Sequence, residues 1–175
     1  MKNYRIKLTN QLDQLRGIII GVPILGLLFY YFYQQGDDLS PLTLILFSYF
    51  GMAFAITVFI HCEYYKLNKG RTVIIDIHQK TISFSENQRF SFENVEKITV
   101  MMTQLLYRPF GNIMVLPSDP YNYAIIQFSN KKEFIFTSLL TSDVEKAMKT
   151  ISGTPIERKL RPIPSPMLAR LFGLK

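Results

Sequence analysis

Residues 29–44, FYYFYQQGDDLSPLTL, separate two long apolar segments of the chain. Five aromatic side chains lead into the short polar stretch 34–40, and an apolar run resumes after Pro41. Tyrosine side chains favour the headgroup level of a bilayer. Ser40 followed by Pro41 is a pattern that caps a helix and fills its first position. The stretch is therefore predicted to be the solvated turn of a helical hairpin in a membrane.

The apolar segments on either side of this turn are long enough to cross a bilayer. Residues 17–33 and 42–60 carry no side chain that is charged at neutral pH, and a spanning helix needs about 20 apolar residues, with roughly 17 as the lower end. Core helices of a soluble domain are the alternative, but they normally keep a polar stripe. A cleaved signal peptide would need a small-residue cleavage site, which the aromatic run does not offer. We predict two transmembrane helices, at residues 17–33 and 42–61.

The charges beside these segments predict the orientation of the hairpin. Basic residues outnumber acidic ones before the first segment, the turn holds Asp37 and Asp38, and Lys66, Lys69 and Arg71 follow the second segment. Lys and Arg in short flanks stay on the cytoplasmic side. We therefore expect a multi-pass protein of the cytoplasmic (inner) membrane, with both termini in the cytoplasm. The N-terminal flank has apolar residues at helical spacing, which fits either an interfacial helix or an extension of the first span.

Alternating apolar residues after residue 66 predict a second, β-rich part of the chain. Residues 73–77 and 82–84 form one predicted hairpin, and residues 123–128 and 133–137 form another. Further strand candidates are residues 90–92, 95–102 and 113–116. The capping-box pattern Ser142-x-x-Glu145 then begins a helix of about ten residues, whose apolar side chains recur at helical spacing up to Ile151.

The order of these features resembles that of the bacterial pleckstrin-homology-like (PH-like) membrane proteins, in which two transmembrane helices precede a small cytosolic PH-like domain. The resemblance is carried by the hairpin and by VIIDIHQKTISFS, FSFENVEKITV and YAIIQFSNKKEFIFTSLLTSDVEKAM. It implies an α+β membrane protein, in which an N-terminal transmembrane helical hairpin precedes a PH-like antiparallel β-barrel or sandwich closed by a C-terminal α-helix. Residues 1–66 would then hold the N-flank and both spans, residues 67–153 the PH-like domain, and residues 154–175 a basic Pro-containing tail.

The sequence contains no motif for catalysis or for a cofactor. No phosphate-binding loop, dinucleotide fingerprint or nucleophile elbow occurs in it. His61, His78 and Cys62 are the only histidines and the only cysteine, and they lack the partners at short spacing that a metal site needs. No nucleic-acid motif accompanies the net charge of +7, so an anionic membrane surface explains the basicity better. We expect a non-enzymatic protein without cofactor, metal or nucleic-acid partner.

Two sets of residues are candidates for binding. The candidate membrane-surface contacts are cations that follow the second span or lie in the tail: Lys66, Lys69, Arg71, Arg158, Lys159, Arg161 and Arg170. The candidate partner contacts come from the long connection 107–123 and from the end of the tail: Tyr107, Arg108, Phe110, Tyr121, Leu171 and Phe172. The tail itself either frays or docks on the bilayer or on a partner.

These features predict an interaction module anchored in the membrane, and the protein would serve as a scaffold or accessory subunit. Its partners would be membrane lipids and either a second protein or another copy of the chain. The alternative is a module that senses anionic lipid through its cations. A specific phosphoinositide site would need clustered cations in the first hairpin loop, where Lys80 stands alone beside His78.

Overall fold

The computed structural model describes residues 1–34, 41–84, 88–107, 117–151, 153–161 and 163–171. The elements in chain order are β1 (Lys2–Tyr4), α1 (Leu8–Gln34), α2 (Pro41–Asn68), β2 (Val73–Asp76), β3 (Thr81–Phe84), β4 (Arg89–Ser91), β5 (Val95–Met102), α3 (Gln104–Tyr107), β6 (Tyr123–Phe128), β7 (Glu133–Thr137), α4 (Val144–Met148), β8 (Ile156–Leu160) and α5 (Pro166–Leu171).

Helices α1 and α2 form the predicted hairpin, and both are long and apolar enough to span a membrane. Each helix also extends beyond the apolar run, since α1 begins at Leu8 and α2 ends at Asn68. A Cβ added to Gly21 would lie 2.8 Å from the ring of Phe54, so this glycine makes room for α2 against α1. A Cβ on Gly51 would meet nothing within 4 Å.

The first sheet has the order β1-β2-β3-β4, and each neighbouring pair is antiparallel. Strand β1 pairs with β2 in the register Lys2↔Ile75 and Tyr4↔Val73. The whole helical hairpin is therefore the connection between two adjacent strands of one sheet. Within the N-terminal flank, residues 8–16 continue α1, as one of the two interpretations predicted, and Lys2–Tyr4 form an edge strand before the helix begins.

The second sheet has the order β7-β6-β5-β8, in which β8 lies parallel to β5. The two sheets are not closed into a barrel. Of the predicted barrel or sandwich, the structure therefore has an open arrangement of two sheets. Strand β8, which lies in the tail, pairs with Ile98–Met102 of β5 and forms one edge of the second sheet. Every pair of strands within the predicted domain 67–153 is antiparallel, as expected, and the parallel pair arises from β8 in the tail.

The hydrophobic core lies between the two sheets and is covered at one side by α4. Alternate residues of β2 and β3 face it, among them Ile75 and Ile82, which are fully buried. A cluster of aromatic side chains fills one end of the core. There the rings of Phe84 and Phe134 stack with centroids 4.0 Å apart, and the ring of Phe128 contacts that of Phe84 edge-on. The alternation in the sequence thus identified the core faces of these strands correctly.

The two predicted hairpins are confirmed as β2–β3 and β6–β7. The predicted strand 113–116 lies outside the described residues. Helix α4 is shorter than predicted, and its N-cap is Asp143, whose carboxylate accepts from the N–H of Lys146 at 2.8 Å. The predicted capping box does not form, because the carboxylate of Glu145 instead binds Arg158 of β8.

Candidate functional site

The last turns of α2 pack against the second sheet and join the hairpin to the domain. Ile60 and Tyr64 of α2 are fully buried there with Tyr121, Tyr123 and Leu139. Helical spacing of four residues places Ile60 and Tyr64 on one face of α2. We refer to these five residues as the helix–sheet junction. It fixes the position of the domain relative to the hairpin through apolar contact.

Hydrogen bonds of buried polar side chains also hold the helices against the domain. The Asn68 amide donates to the carbonyl of Tyr64 and to the hydroxyl of Thr137, both at 2.7 Å. From α1, the buried Gln14 accepts a hydrogen bond from the Ser138 hydroxyl at 3.2 Å. Both helices of the hairpin therefore bind the same short segment, Thr137 and Ser138, at the end of β7. Buried polar groups are costly unless paired, so these bonds favour one docking geometry over others.

Two tyrosines of the junction keep their hydroxyl protons over the whole physiological range. Burial raises the pKa of Tyr123 to about 12 and raises the pKa of Tyr121 as well. The hydroxyl of Tyr121 lies 2.9 Å from Nδ1 of His61. This pair is a structural hydrogen bond between the sheet and α2, and its nearest neighbours are aromatic rings.

The end of the tail docks on α2 beside the junction. The Tyr64 hydroxyl donates to the carbonyl of Pro164 at 2.6 Å, a buried contact between the helix and the tail. The carboxylate of Glu63 accepts from the Ser165 hydroxyl and from the N–H of Met167, each at 2.5 Å. Ser165 also accepts from the N–H of Leu168 at 3.1 Å, which makes it the N-cap of α5. Residues 163–171 of the tail thus pack on α2 through these contacts.

A groove of about 620 Å³ runs between α2 and α5. We call it the α2–α5 groove. Its walls are apolar for the most part, with charged groups at intervals: Phe59, Cys62, Glu63, Lys66, Leu67, Ile135, Pro166, Met167, Arg170 and Leu171. It therefore offers both an apolar surface and cations to a ligand.

A second depression, of about 400 Å³, lies on the outer face of the second sheet and shares Arg170 with the groove. Lys97 and Lys159 also line it. Lys97 forms a salt bridge of 2.7 Å with Glu157, and the hydrogen bond from Lys97 lowers the pKa of that carboxyl. Part of the positive charge here is already neutralised within the protein, so this depression is the weaker candidate for an anion.

The first hairpin loop does not gather cations. The Asp76 carboxylate accepts from the N–H groups of Gln79 and His78, which organise the turn, and these bonds lower the pKa of Asp76. Lys80, in the left-handed region at φ 48°, is the only cation of the turn. The nearby depression of about 370 Å³ also contains Glu93. Nothing in this described loop resembles the cluster of basic side chains that a polyphosphate headgroup needs.

The predicted membrane-surface cations fall into three places. Lys66, Lys69 and Arg71 are exposed at the end of α2 and just after it, and α5 brings Arg170 to the same groove as Lys66. The others lie along or after β8: Arg158, which is paired with Glu145, Lys159, which lies 3.9 Å from Glu157, and Arg161, which is only partly exposed. Of the predicted cations, the structure therefore brings Lys66 and Arg170 together in one groove.

The predicted partner contacts are separated by burial. Tyr107 is 39% exposed and Leu171 is 69% exposed. Tyr121 is fully buried, because its ring packs in the helix–sheet junction, so it is not available on the surface and we drop it from the partner contacts. Arg108, Phe110 and Phe172 lie outside the described residues.

Sequence reasoning missed Glu63, Tyr64 and Asn68, the three α2 residues that hold the tail and β7. Ser165-Pro166 repeats the cap-and-proline pattern of Ser40-Pro41, and that signal was sufficient to predict the start of α5. No sequence signal links either pattern to Glu63, since the bonds join residues about a hundred positions apart.

Within the described part of the chain, no three His, Cys, Asp or Glu side chains lie close enough to hold a metal ion. The described surface near α2 offers an amphipathic groove and exposed apolar side chains. Such a surface can hold a partner or a lipid.

Comparison with known proteins identifies a family and no individual relative. No curated protein and no solved structure matches the chain. A family model described as a PH domain matches residues 3–149, a range that begins within β1, contains the helical hairpin and ends just after α4. Because this match covers most of the 175 residues, the chain belongs to the PH domain family.

Proposed function

We propose that the protein is a non-enzymatic interaction module, anchored in the cytoplasmic membrane by its helical hairpin, that holds a protein partner through its PH domain. PH domains are interaction modules for proteins or lipids. The observation that carries the proposal is the junction, which ties the PH domain directly to helices suited to span a membrane.

Exposure of the hairpin supports membrane insertion. No residue in the most apolar stretch of α1 is buried within the protein, and only 11% of the residues in that of α2 are buried. Core helices of a soluble domain would be covered, and large exposed apolar patches mark contact with a membrane or another protein. Lipid around the hairpin removes this apolar surface from water.

Strand pairing supports the orientation. Because β1 precedes α1, β2 follows α2, and the two strands pair, both ends of the hairpin lie on one side of any membrane it crosses. Lys66, Lys69 and Arg71 on that side favour the cytoplasm. The multi-pass topology with both termini cytoplasmic follows from these two arguments together.

The partner is expected on exposed apolar side chains of the described residues. These include Tyr107 on α3, a residue type that anchors interfaces, and Leu171 on α5, which lies beside α2. The domain follows α2 without a flexible linker, which favours lateral contact with another membrane protein or a second copy of this chain.

Affinity purification of the full chain, tagged at the N-terminus, from native membranes in mild detergent tests the proposal. We expect a protein in near-equal amount, lost from Tyr107→Ser but kept by the matched surface variant Lys132→Ser on the β6–β7 turn. Extraction of the membranes with alkaline carbonate should leave the protein in the pellet. Release by carbonate contradicts the anchor, and a preparation without any protein partner contradicts the scaffold.

A lipid-sensing function is the second candidate, and the α2–α5 groove is the observation that favours it. Lys66 and Arg170 face the same apolar space. In that case the isolated preparation would retain anionic lipid through washing, and retention would weaken as salt screens the cations.

A further inference from the structure

One face of α2 forms a wall of the α2–α5 groove and points away from the junction. Phe59, Cys62, Glu63 and Lys66 recur at helical spacing along it, whereas Ile60 and Tyr64 point into the protein. From Phe59 to Lys66 the helix rises about 10 Å. The groove therefore changes along its length from an aromatic, apolar end to a basic end.

The position of this groove matches the boundary of a bilayer. The uncharged run of α2 ends at Ile60, so in a spanning hairpin Phe59 lies at the level of acyl chains. Lys66 lies about two turns further, at the level of headgroups. Apolar side chains of Met167 and Leu171 form the opposite wall.

Two cations in the groove are available to an anion. Neither Lys66 nor Arg170 forms a salt bridge with any residue that the structure describes. The one carboxylate of the groove, Glu63, has both oxygens occupied by Ser165 and by the N–H of Met167. The cations therefore outnumber the carboxylate, and the carboxylate already has partners.

We propose that the α2–α5 groove binds one anionic phospholipid, with its phosphate between Lys66 and Arg170 and the start of an acyl chain along Phe59 and Met167. The inference rests on the membrane insertion given under the proposed function. Cations and apolar walls in one groove complement a phosphate joined to hydrocarbon, and α2 leads from the lipid region into the groove without interruption. The lipid would also bridge α2 to the tail, which otherwise meet through Glu63 and Tyr64.

The thiol of Cys62 gives a direct readout, because it is the only cysteine of the chain and an exposed part of the groove wall. The full-length protein is purified in mild detergent, supplemented with phosphatidylglycerol or with phosphatidylcholine of the same acyl chains, and reacted with a water-soluble maleimide. At a phosphatidylglycerol concentration ten times the dissociation constant, we expect alkylation to slow roughly tenfold, with no comparable slowing by phosphatidylcholine.

The double variant Lys66→Gln/Arg170→Gln should lose this protection, while Lys132→Gln/Lys146→Gln, which removes the same charge elsewhere, should keep it. The variants must react at the wild-type rate in phosphatidylcholine, which shows that the groove is intact. Equal protection by both lipids, or protection that survives in Lys66→Gln/Arg170→Gln, overturns the proposal. Carbonate extraction of the same variants distinguishes this result from failure of the membrane anchor, because insertion does not depend on the two cations.

Discussion

Replacement of Tyr64 by Phe tests whether the tail is held by α2. The hydroxyl of Tyr64 donates to the carbonyl of Pro164 at 2.6 Å, and the side chain is fully buried. Tyr64→Phe keeps the ring and its apolar contacts but leaves the buried carbonyl without a donor, which costs about 1–3 kcal/mol. If that cost falls on the docked tail alone, the equilibrium for its release rises by roughly 5- to 150-fold.

Limited proteolysis with trypsin measures this equilibrium. Arg170 lies within α5, so cleavage after it requires the helix to leave α2, and Arg161 precedes Pro162, a bond that trypsin does not cut. When opening is fast relative to cleavage, the rate follows the population of the open form. We expect cleavage after Arg170 to accelerate by the same factor.

The adjacent residue supplies a matched control. Tyr65 is 39% exposed and its hydroxyl makes no hydrogen bond with a described residue, so Tyr65→Phe should leave the rate within about twofold of wild type. A Tyr64→Phe protein that is cleaved after Arg170 no faster than the Tyr65→Phe protein would refute the reasoning, because the tail would then be held by other contacts.

Two further predictions concern the domain and the hairpin. Burial raises the pKa of Glu145, but the hydrogen bonds and charges of Arg158 and Lys149 outweigh burial and lower the pKa below its ordinary value of 4.5. Glu145→Gln should therefore reduce thermal stability slightly at neutral pH and make progressively less difference as the pH falls below 4.5, as measured by melting curves at a series of pH values. Gly21→Val, whose Cβ would meet the ring of Phe54 at 2.8 Å, should destabilise the hairpin by about 1–3 kcal/mol, whereas Gly26→Val, with open space around its Cβ, should have little effect. Equal melting temperatures in detergent for these two variants would contradict the packing of α1 on α2.

Local patterns in the sequence were sufficient for the hairpin, for β2–β3 and for β6–β7, because each of these depends on neighbours close in sequence. The capping box was misleading for a related reason. Ser142-x-x-Glu145 is a valid local signal, but Arg158 and Lys149 compete for Glu145, and Asp143 is available as the cap. Competition from tertiary partners is invisible to local reasoning.

Long-range pairing limited the prediction more severely. Strand β1 pairs with residues about seventy positions away, and β8 pairs in parallel with a strand more than fifty positions earlier. A three-residue strand such as Lys2–Tyr4 has no periodicity to detect. The prediction of partner contacts failed for the same reason. Tyrosine is a residue type that anchors interfaces, but Tyr121 is buried by α2, an element far away in sequence.

The pairing of β1 with β2 also changes what the hairpin can do. A domain attached through one flexible linker would turn freely over the membrane, and its surfaces would be equally available to any partner. In this protein both ends of the hairpin enter neighbouring strands, and Asn68, the last residue of α2, is bonded to Thr137 on the other sheet. A tilt of the hairpin therefore carries both sheets with it, and a partner bound to the domain acts on the hairpin without an intervening hinge.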